Sequence, residues 1–115
     1  MKRSIETRRL IDTIVERLKE EEVERIVLFG SHAYGRPDAG SDLDLYVVTR
    51  DETIPKNYEE HTDIYLRIAE KIRDIRRLYP VDLVVHTRGM YGRFMKLGGS
   101  FAKKISEEGV VLYES

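Results

Sequence analysis

Apolar residues recur at helical spacing in two long segments of the chain. In the first segment they fall at i, i+3, i+4 and i+7, which is the spacing of one buried helical stripe. This stripe consists of Ile11, Ile14, Val15 and Leu18. It predicts an amphipathic helix over residues 4–22, with a charged outer face. A second helix is predicted over residues 59–78, and Pro80 ends it. Its stripe consists of Ile64, Ile68, Ile72, Ile75 and Tyr79.

Short apolar runs predict four strands, over residues 23–29, 45–48, 81–85 and 110–113. Asp42-Leu43-Asp44 opens the second strand, and side chains alternate between the two faces of a strand. Leu43, Leu45 and Val47 therefore share one face, which we expect to pack in the core. Asp42 and Asp44 share the opposite face with Tyr46 and Val48, and we expect the two carboxylates to form the wall of a cleft.

The remaining segments predict loops and short helices. Residues 30–41 form a loop with one helical turn beginning at Ser31, and residues 50–58 form a polar loop that we expect to be mobile near the site. Two short helical pieces, separated by Gly98-Gly99, precede the last strand; Ser100 is expected to cap the second piece and Gly109 to stop it. Strands separated by helical segments indicate an α/β fold around a small sheet.

The chemistry is concentrated in the loop between the first two strands. Gly30-Ser31 follows the first strand directly, and Asp42-x-Asp44 comes ten residues later. Glycine leaves room for a ligand close to the backbone, and the free N–H groups of a helix start suit a phosphate. Two carboxylates on one face of a strand repel each other unless a cation lies between them, and Mg²⁺ prefers such oxygen ligands together with phosphates. The pattern indicates phosphoryl or nucleotidyl transfer.

This Gly-Ser…Asp-x-Asp pattern resembles the signature of the DNA polymerase β-like nucleotidyltransferase superfamily. The short chain is similar to its smallest members, the minimal nucleotidyltransferase (MNT) domains of prokaryotes. The resemblance implies a polymerase β-like fold, with a small mixed β-sheet flanked by α-helices. It also implies ATP as substrate and Mg²⁺ as cofactor, with one or two ions held by Asp42, Asp44 and a third acid from a following strand.

Asp82 is the candidate for the third acid, because it interrupts the apolar strand 81–85. A buried charge is costly unless it is paired or binds a metal. A salt bridge to one of the many arginines would account for it as well, and the resemblance favours the catalytic role. His86 shares the face of Asp82 and is interpreted either as support for the site or as an ordinary strand-end residue.

The resemblance also implies which residues contact the nucleotide. Gly30, Ser31 and Ser41 are expected to bind it. The family often carries a basic residue directly after the serine, where this chain has His32. Arg36 is the nearest residue that is always charged, and we expect it to take over that contact.

Composition narrows the class of protein. The chain has 115 residues, enough for one domain over residues 1–115, and its net charge of −1 gives no general footprint for nucleic acid. There is no Cys, so disulfides and cysteine nucleophiles are excluded. No apolar run is long enough to span a membrane, and no apolar segment follows the basic residues 1–3 as in a secretory signal. We therefore expect a cytoplasmic protein without membrane contact.

The acceptor of the nucleotide is not visible in the sequence. Resemblance to MNT antitoxins implies a HEPN-domain toxin as partner, with AMP transferred to a hydroxyl of a Tyr or Ser. A small-molecule transferase of the aminoglycoside type is one alternative. A degenerate transferase that neutralises a toxin only by binding it is another. Homo-oligomerisation is left open.

Overall fold

The computed structural model describes residues 5–33 and 42–115. The first half of the chain contains helix α1 (Ile5–Leu18), strand β1 (Val23–Phe29), strand β2 (Leu43–Thr49) and helix α2 (Tyr58–Glu70). The second half contains helix α3 (Arg73–Leu78), strand β3 (Val81–Thr87), helix α4 (Arg88–Leu97) and helix α5 (Ser100–Lys103). A π-helical turn (Lys104–Glu108) and strand β4 (Val110–Glu114) complete it. No helix within these ranges is both long and apolar enough to cross a membrane.

The strands form one mixed sheet in the order β3-β2-β1-β4, which confirms the predicted mixed α/β fold. β1 pairs antiparallel with β2, so that Phe29 lies opposite Asp44. β2 pairs parallel with β3, so that Asp44 lies beside Asp82. β1 also pairs antiparallel with β4. The end of β1 and the starts of β2, β3 and β4 therefore meet at one end of the sheet, which we call the carboxylate end.

One face of the sheet packs against α1, α2 and α3, as the hydrophobic pattern predicts. Leu43, Leu45 and Val47 are buried in this main core. The helices contribute the predicted stripe residues, which include Ile11, Ile14, Leu18, Ile68, Ile72 and Ile75. Tyr79 is the exception, since it is 49% exposed beyond the end of α3. Burial of these apolar side chains is the main force that holds the helices on the sheet.

The opposite face carries a second, aromatic core. Tyr46 and Val48 are fully buried there beneath α4 and α5. The Tyr46 ring lies 5.6 Å from that of Phe94 and 6.1 Å from that of Phe101. Helices thus cover both faces of the sheet. On the face that carries Asp44, the start of β2 is the part of the strand that remains open for a cleft.

The helix predicted over residues 59–78 is wrong in one respect, because it is two helices. The backbone leaves helical geometry at Ile72, with φ −122° and ψ 21°. The amides of Lys71 and Ile72 bond to carbonyls three residues back, and the freed Lys71 carbonyl accepts a hydrogen bond of 3.1 Å from Arg17. Ile72 and Ile75 are both buried in the core on either side of the break, and Arg17 connects α1 to it.

The loop after β2 is not near the carboxylate end, contrary to the sequence-based expectation. It follows Thr49, at the far end of a seven-residue strand that starts beside Asp44, about 20 Å away at 3.3 Å per residue. It is also tethered there, because the Thr87 hydroxyl donates to the Thr53 carbonyl at 2.6 Å and the Arg88 amide donates to the Asp51 carbonyl at 2.9 Å.

The segment between α4 and β4 differs from its prediction at one position and agrees at another. Gly99, not Ser100, is the N-cap of α5, and no side chain caps that helix. Gly109 does end the π-helical turn. A Cβ at Gly109 would collide with the Ile105 carbonyl and with Val27, so glycine allows the chain to enter β4 close against β1.

Candidate functional site

Gly30 brings the end of β1 into direct contact with the start of β2. Its φ of +75° is one that L side chains rarely adopt. A Cβ at this position would lie 3.0 Å from Cγ of Asp44 and closer still to its Oδ2. The chain then turns through Ser31–Ala33, where the Ala33 amide donates to the Gly30 carbonyl at 3.0 Å. Within the described residues, the helical turn predicted at Ser31 is a hydrogen-bonded turn over Ser31–Ala33 rather than a helix, and Gly30 in front of it packs against the Asp44 carboxylate.

Three carboxylates gather at this end of the sheet. Asp44 is half-buried, Asp82 is its exposed neighbour across the parallel pair, and Asp42 is exposed two residues earlier. Burial raises the pKa of the Asp44 carboxyl, and the charges of Asp82 and Asp42 raise this pKa further. The sheet therefore places the Asp44 carboxylate beside two other negative charges. A bound cation would relieve the repulsion between them.

The donor set suits a hard divalent cation, which takes carboxylate oxygens as ligands. No group of three His, Cys, Asp or Glu side chains within residues 5–33 and 42–115 is gathered closely enough to hold a metal ion as it stands. The charges of the three carboxylates affect one another, but their oxygens do not converge on a common metal position. Asp42, Asp44 and Asp82 nevertheless fit the chemistry of the ion.

Asp82 is exposed, whereas the sequence analysis treats it as a buried charge. β3 is an edge strand and Asp82 is exposed, so its charge does not need a buried partner. None of the ion pairs found in the described parts of the chain includes it. The salt-bridge interpretation of Asp82 therefore finds no support among those residues.

The structure brings together five of the residues proposed from the sequence: Gly30, Ser31, Asp42, Asp44 and Asp82. Arg36 and Ser41 lie outside the described residues. His32 is buried in the turn after Gly30, and its charge would lower the pKa of the Asp44 carboxyl. It is therefore a neighbour of the carboxylates as well as a replacement for a basic residue.

Lys104 is a residue of this neighbourhood that the sequence analysis did not propose. It begins the π-helical turn, and its charge also lowers the pKa of the Asp44 carboxyl. Lys103 and Lys104 stand only six or seven residues before the last strand. The last strand pairs with the end of β1. A prediction of this pairing from the sequence would have placed a lysine near the carboxylates.

His86 is a half-buried strand-end residue that packs against the aromatic core. Its Nδ1 lies 2.7 Å from the Tyr46 hydroxyl, and its ring packs 5.0 Å from that of Phe94. Burial lowers the pKa of His86, and the nearby His61 lowers it further. It shares the face of Asp82 but lies four residues along the strand from it, about 13 Å away. The structure therefore agrees with the interpretation of His86 as a strand-end residue rather than as support for the site.

Comparison with protein families gives a match over most of the chain. The model described as "Polymerase beta, Nucleotidyltransferase" matches residues 12–115, which include every element from α1 onwards except the first turns of that helix. No curated protein sequence matches the chain. The matched range contains Gly30, the Asp42-x-Asp44 pair and Asp82.

Solved structures with the same fold include three that are relevant here. A toxin–antitoxin crystallised with AMP-PNP is 20% identical with a TM-score of 0.59, over 91% of this chain and 73% of that one. A variant of the toxin–antitoxin MntA–HpeT with two Asp→Glu substitutions is 18% identical with a TM-score of 0.55, at the same coverages. A candidate nucleotidyltransferase from Sulfolobus solfataricus is 22% identical with a TM-score of 0.59, over 92% of this chain and 81% of that one. At these identities the likeness shows the fold alone.

Proposed function

Because the chain belongs to the polymerase β nucleotidyltransferase family, we propose that it is a Mg²⁺-dependent nucleotidyltransferase that transfers AMP from ATP to a hydroxyl of a partner protein. The observation that carries this proposal is the packing of Gly30 against Asp44, with Asp82 beside Asp44 in the parallel pair. It combines a phosphate-binding turn with metal-binding carboxylates at one end of the sheet.

Each residue has a role in this proposal. Asp42, Asp44 and Asp82 hold one or two Mg²⁺ ions, and Gly30 and Ser31 bind the phosphates of ATP through the turn. Arg36 and Ser41 are proposed as further nucleotide contacts. Bound Mg²⁺ would neutralise the phosphate charge that builds up during transfer.

Asp82 also positions the acceptor. Its exposed carboxylate accepts a hydrogen bond from the attacking hydroxyl and can take the proton that this hydroxyl loses. The hydroxyl oxygen forms a bond to the α-phosphorus, the bond to the β-phosphate bridging oxygen breaks, and pyrophosphate leaves. Positioning and charge neutralisation account for the rate, without a covalent enzyme intermediate.

A protein acceptor is favoured by the accessibility of the carboxylates. Asp42 and Asp82 are both exposed, so a side chain on the surface of another protein can reach them. The fold is also that of structures described as toxin–antitoxin complexes. We therefore propose that the partner is a HEPN-domain toxin and that the acceptor is a Tyr or Ser on a mobile segment of it.

Mass spectrometry of the partner, co-expressed with this chain, tests the proposal. The partner should gain the mass of one AMP with the unaltered chain and none with Asp42→Asn/Asp44→Asn. Asp12→Asn/Asp63→Asn is the matched control, because these exposed aspartates lie on α1 and α2, which pack on the face of the sheet opposite to Asp44. It should leave the modification intact.

Two results would contradict AMP transfer to a protein. A partner that stays unmodified, yet is neutralised equally by the unaltered chain and by Asp42→Asn/Asp44→Asn, would identify a binding module. An unmodified partner together with nucleotide transfer to an aminoglycoside would identify a small-molecule transferase.

A further inference from the structure

We propose that Lys104 binds the phosphate chain of the nucleotide from the side of the π-helical turn, facing Asp44 across the carboxylate end. This inference rests on the proposed function of the site. It adds a nucleotide contact from the last quarter of the chain to those expected from the loop between β1 and β2.

The pairing of β4 with β1 places this turn beside the site. Leu28 lies opposite Val110 in that pair, and Phe29 lies opposite Asp44 in the pair with β2. The residues just before Val110 therefore enter the sheet at the end where Asp44 begins its strand. A side chain of the π-helical turn needs to cross only the end of β1 to reach the carboxylates.

The turn is fixed in that position by packing. The ring of Phe101, in α5, lies 5.3 Å from that of Phe29 in an edge-to-face arrangement. Ile105 is buried in the aromatic core, next to Lys104 in sequence, and Gly109 holds the end of the turn close to Val27. The Lys104 backbone is thus anchored on both sides. Single π-helical turns of this kind are frequent at functional sites.

Lys104 has the charge and the exposure that a phosphate contact requires. It is exposed, and it belongs to none of the ion pairs found within residues 5–33 and 42–115. The pairing of β4 with β1 and the contact of Phe101 with Phe29, which lies opposite Asp44, bring its turn to the end of the sheet where Asp44 lies. A phosphate oxygen shared between a lysine and a carboxylate-bound cation fits such an arrangement.

A pocket beside Lys104 offers the room. It has a volume of about 400 Å³, and it is lined by Ser100, Phe101, Lys103, Lys104, Glu107 and Glu108. Ser100 adds a hydroxyl donor, and the flexible four-carbon side chain of lysine can follow a phosphate chain as it moves. The chemistry is that of a nucleoside di- or triphosphate; a nucleoside without phosphates would gain nothing from it.

Calorimetric titration of the full chain with ATP and with adenosine, both in Mg²⁺, tests the inference. Lys104→Met keeps the length of the side chain and removes its charge, and it should weaken ATP binding about tenfold while leaving adenosine binding unchanged. Lys104→Arg should restore most of the affinity for ATP. Lys96→Met removes an equivalent exposed charge from α4 and should bind ATP as the unaltered chain does.

The outcomes separate this inference from the proposed function. If the unaltered chain binds ATP and Lys104→Met binds it equally well, the contact from Lys104 is wrong and the transferase proposal stands. An equal loss of adenosine and ATP binding in Lys104→Met would show a structural role and also contradict the contact. If the unaltered chain binds no ATP, the proposed function itself fails.

Discussion

Replacing Gly30 by alanine perturbs the contact between the turn and Asp44. A non-glycine residue at a φ of +75° loses about 1–2 kcal/mol. The added Cβ would also lie 3.0 Å from Cγ and 3.3 Å from Cβ of Asp44. Because the Asp44 Cβ is itself close, rotation of the carboxylate alone cannot relieve the contact. Forcing Asp44 off its rotamer costs about 0.5–1.5 kcal/mol more. We expect Gly30→Ala to lower the free energy of unfolding by about 2–3 kcal/mol.

Gly98→Ala is the matched control for the backbone effect. Gly98 has a φ of +64° but no heavy atom within 4 Å of an added Cβ. Urea denaturation followed by circular dichroism should therefore give a loss of about 1–2 kcal/mol for Gly98→Ala, smaller than that for Gly30→Ala. In Gly30→Ala/Asp44→Ala the contacts with the Asp44 carboxyl group disappear and only the 3.3 Å contact with Cβ remains, so the double variant should be more stable than the sum of the single effects predicts. Equal losses at the two glycines, with strict additivity in the double variant, would refute the close approach.

Two further predictions concern single side chains. Asp44→Asn should be more stable than the unaltered chain at neutral pH, because the raised pKa of Asp44 means that its ionised form is disfavoured in the folded state. The difference should shrink as the pH falls through that raised pKa towards 3.8, the ordinary value, and thermal denaturation at several pH values measures it. A variant without any gain at neutral pH would contradict the carboxylate repulsion. Tyr46→Phe removes the hydroxyl that bonds His86 at 2.7 Å, and urea denaturation should show a loss of about 1 kcal/mol; an unchanged midpoint would show that this bond contributes nothing.

The strands and the main core follow from local pattern. The apolar run 23–29 has the bounds of β1, and the alternation in β2 correctly separates Leu43, Leu45 and Val47 from the carboxylates. These features depend only on the two-residue period of a strand and on burial of one face. The sequence motif likewise identified Gly30 and Asp44, which the sheet register brings into contact.

Features that depend on non-local packing did not follow from the sequence. The apolar stripe continues across the break at Ile72, because Ile68, Ile72 and Ile75 are all buried in the core. Hydrophobic periodicity therefore did not reveal the break. The turn that carries Lys104 lies at the carboxylate end because β4 pairs with β1, the last strand with the first.

Titration of the chain with ATP, in Mg²⁺ and in EDTA, is the most direct test that Asp42, Asp44 and Asp82 bind a nucleotide through a divalent cation. The carboxylates would repel a bare triphosphate, so binding should be tight in Mg²⁺ and weak in EDTA. Asp44→Asn should lose most of the gain that Mg²⁺ gives. Equal affinities for ATP in Mg²⁺ and in EDTA, unchanged in Asp44→Asn, would contradict the metal-bridged site.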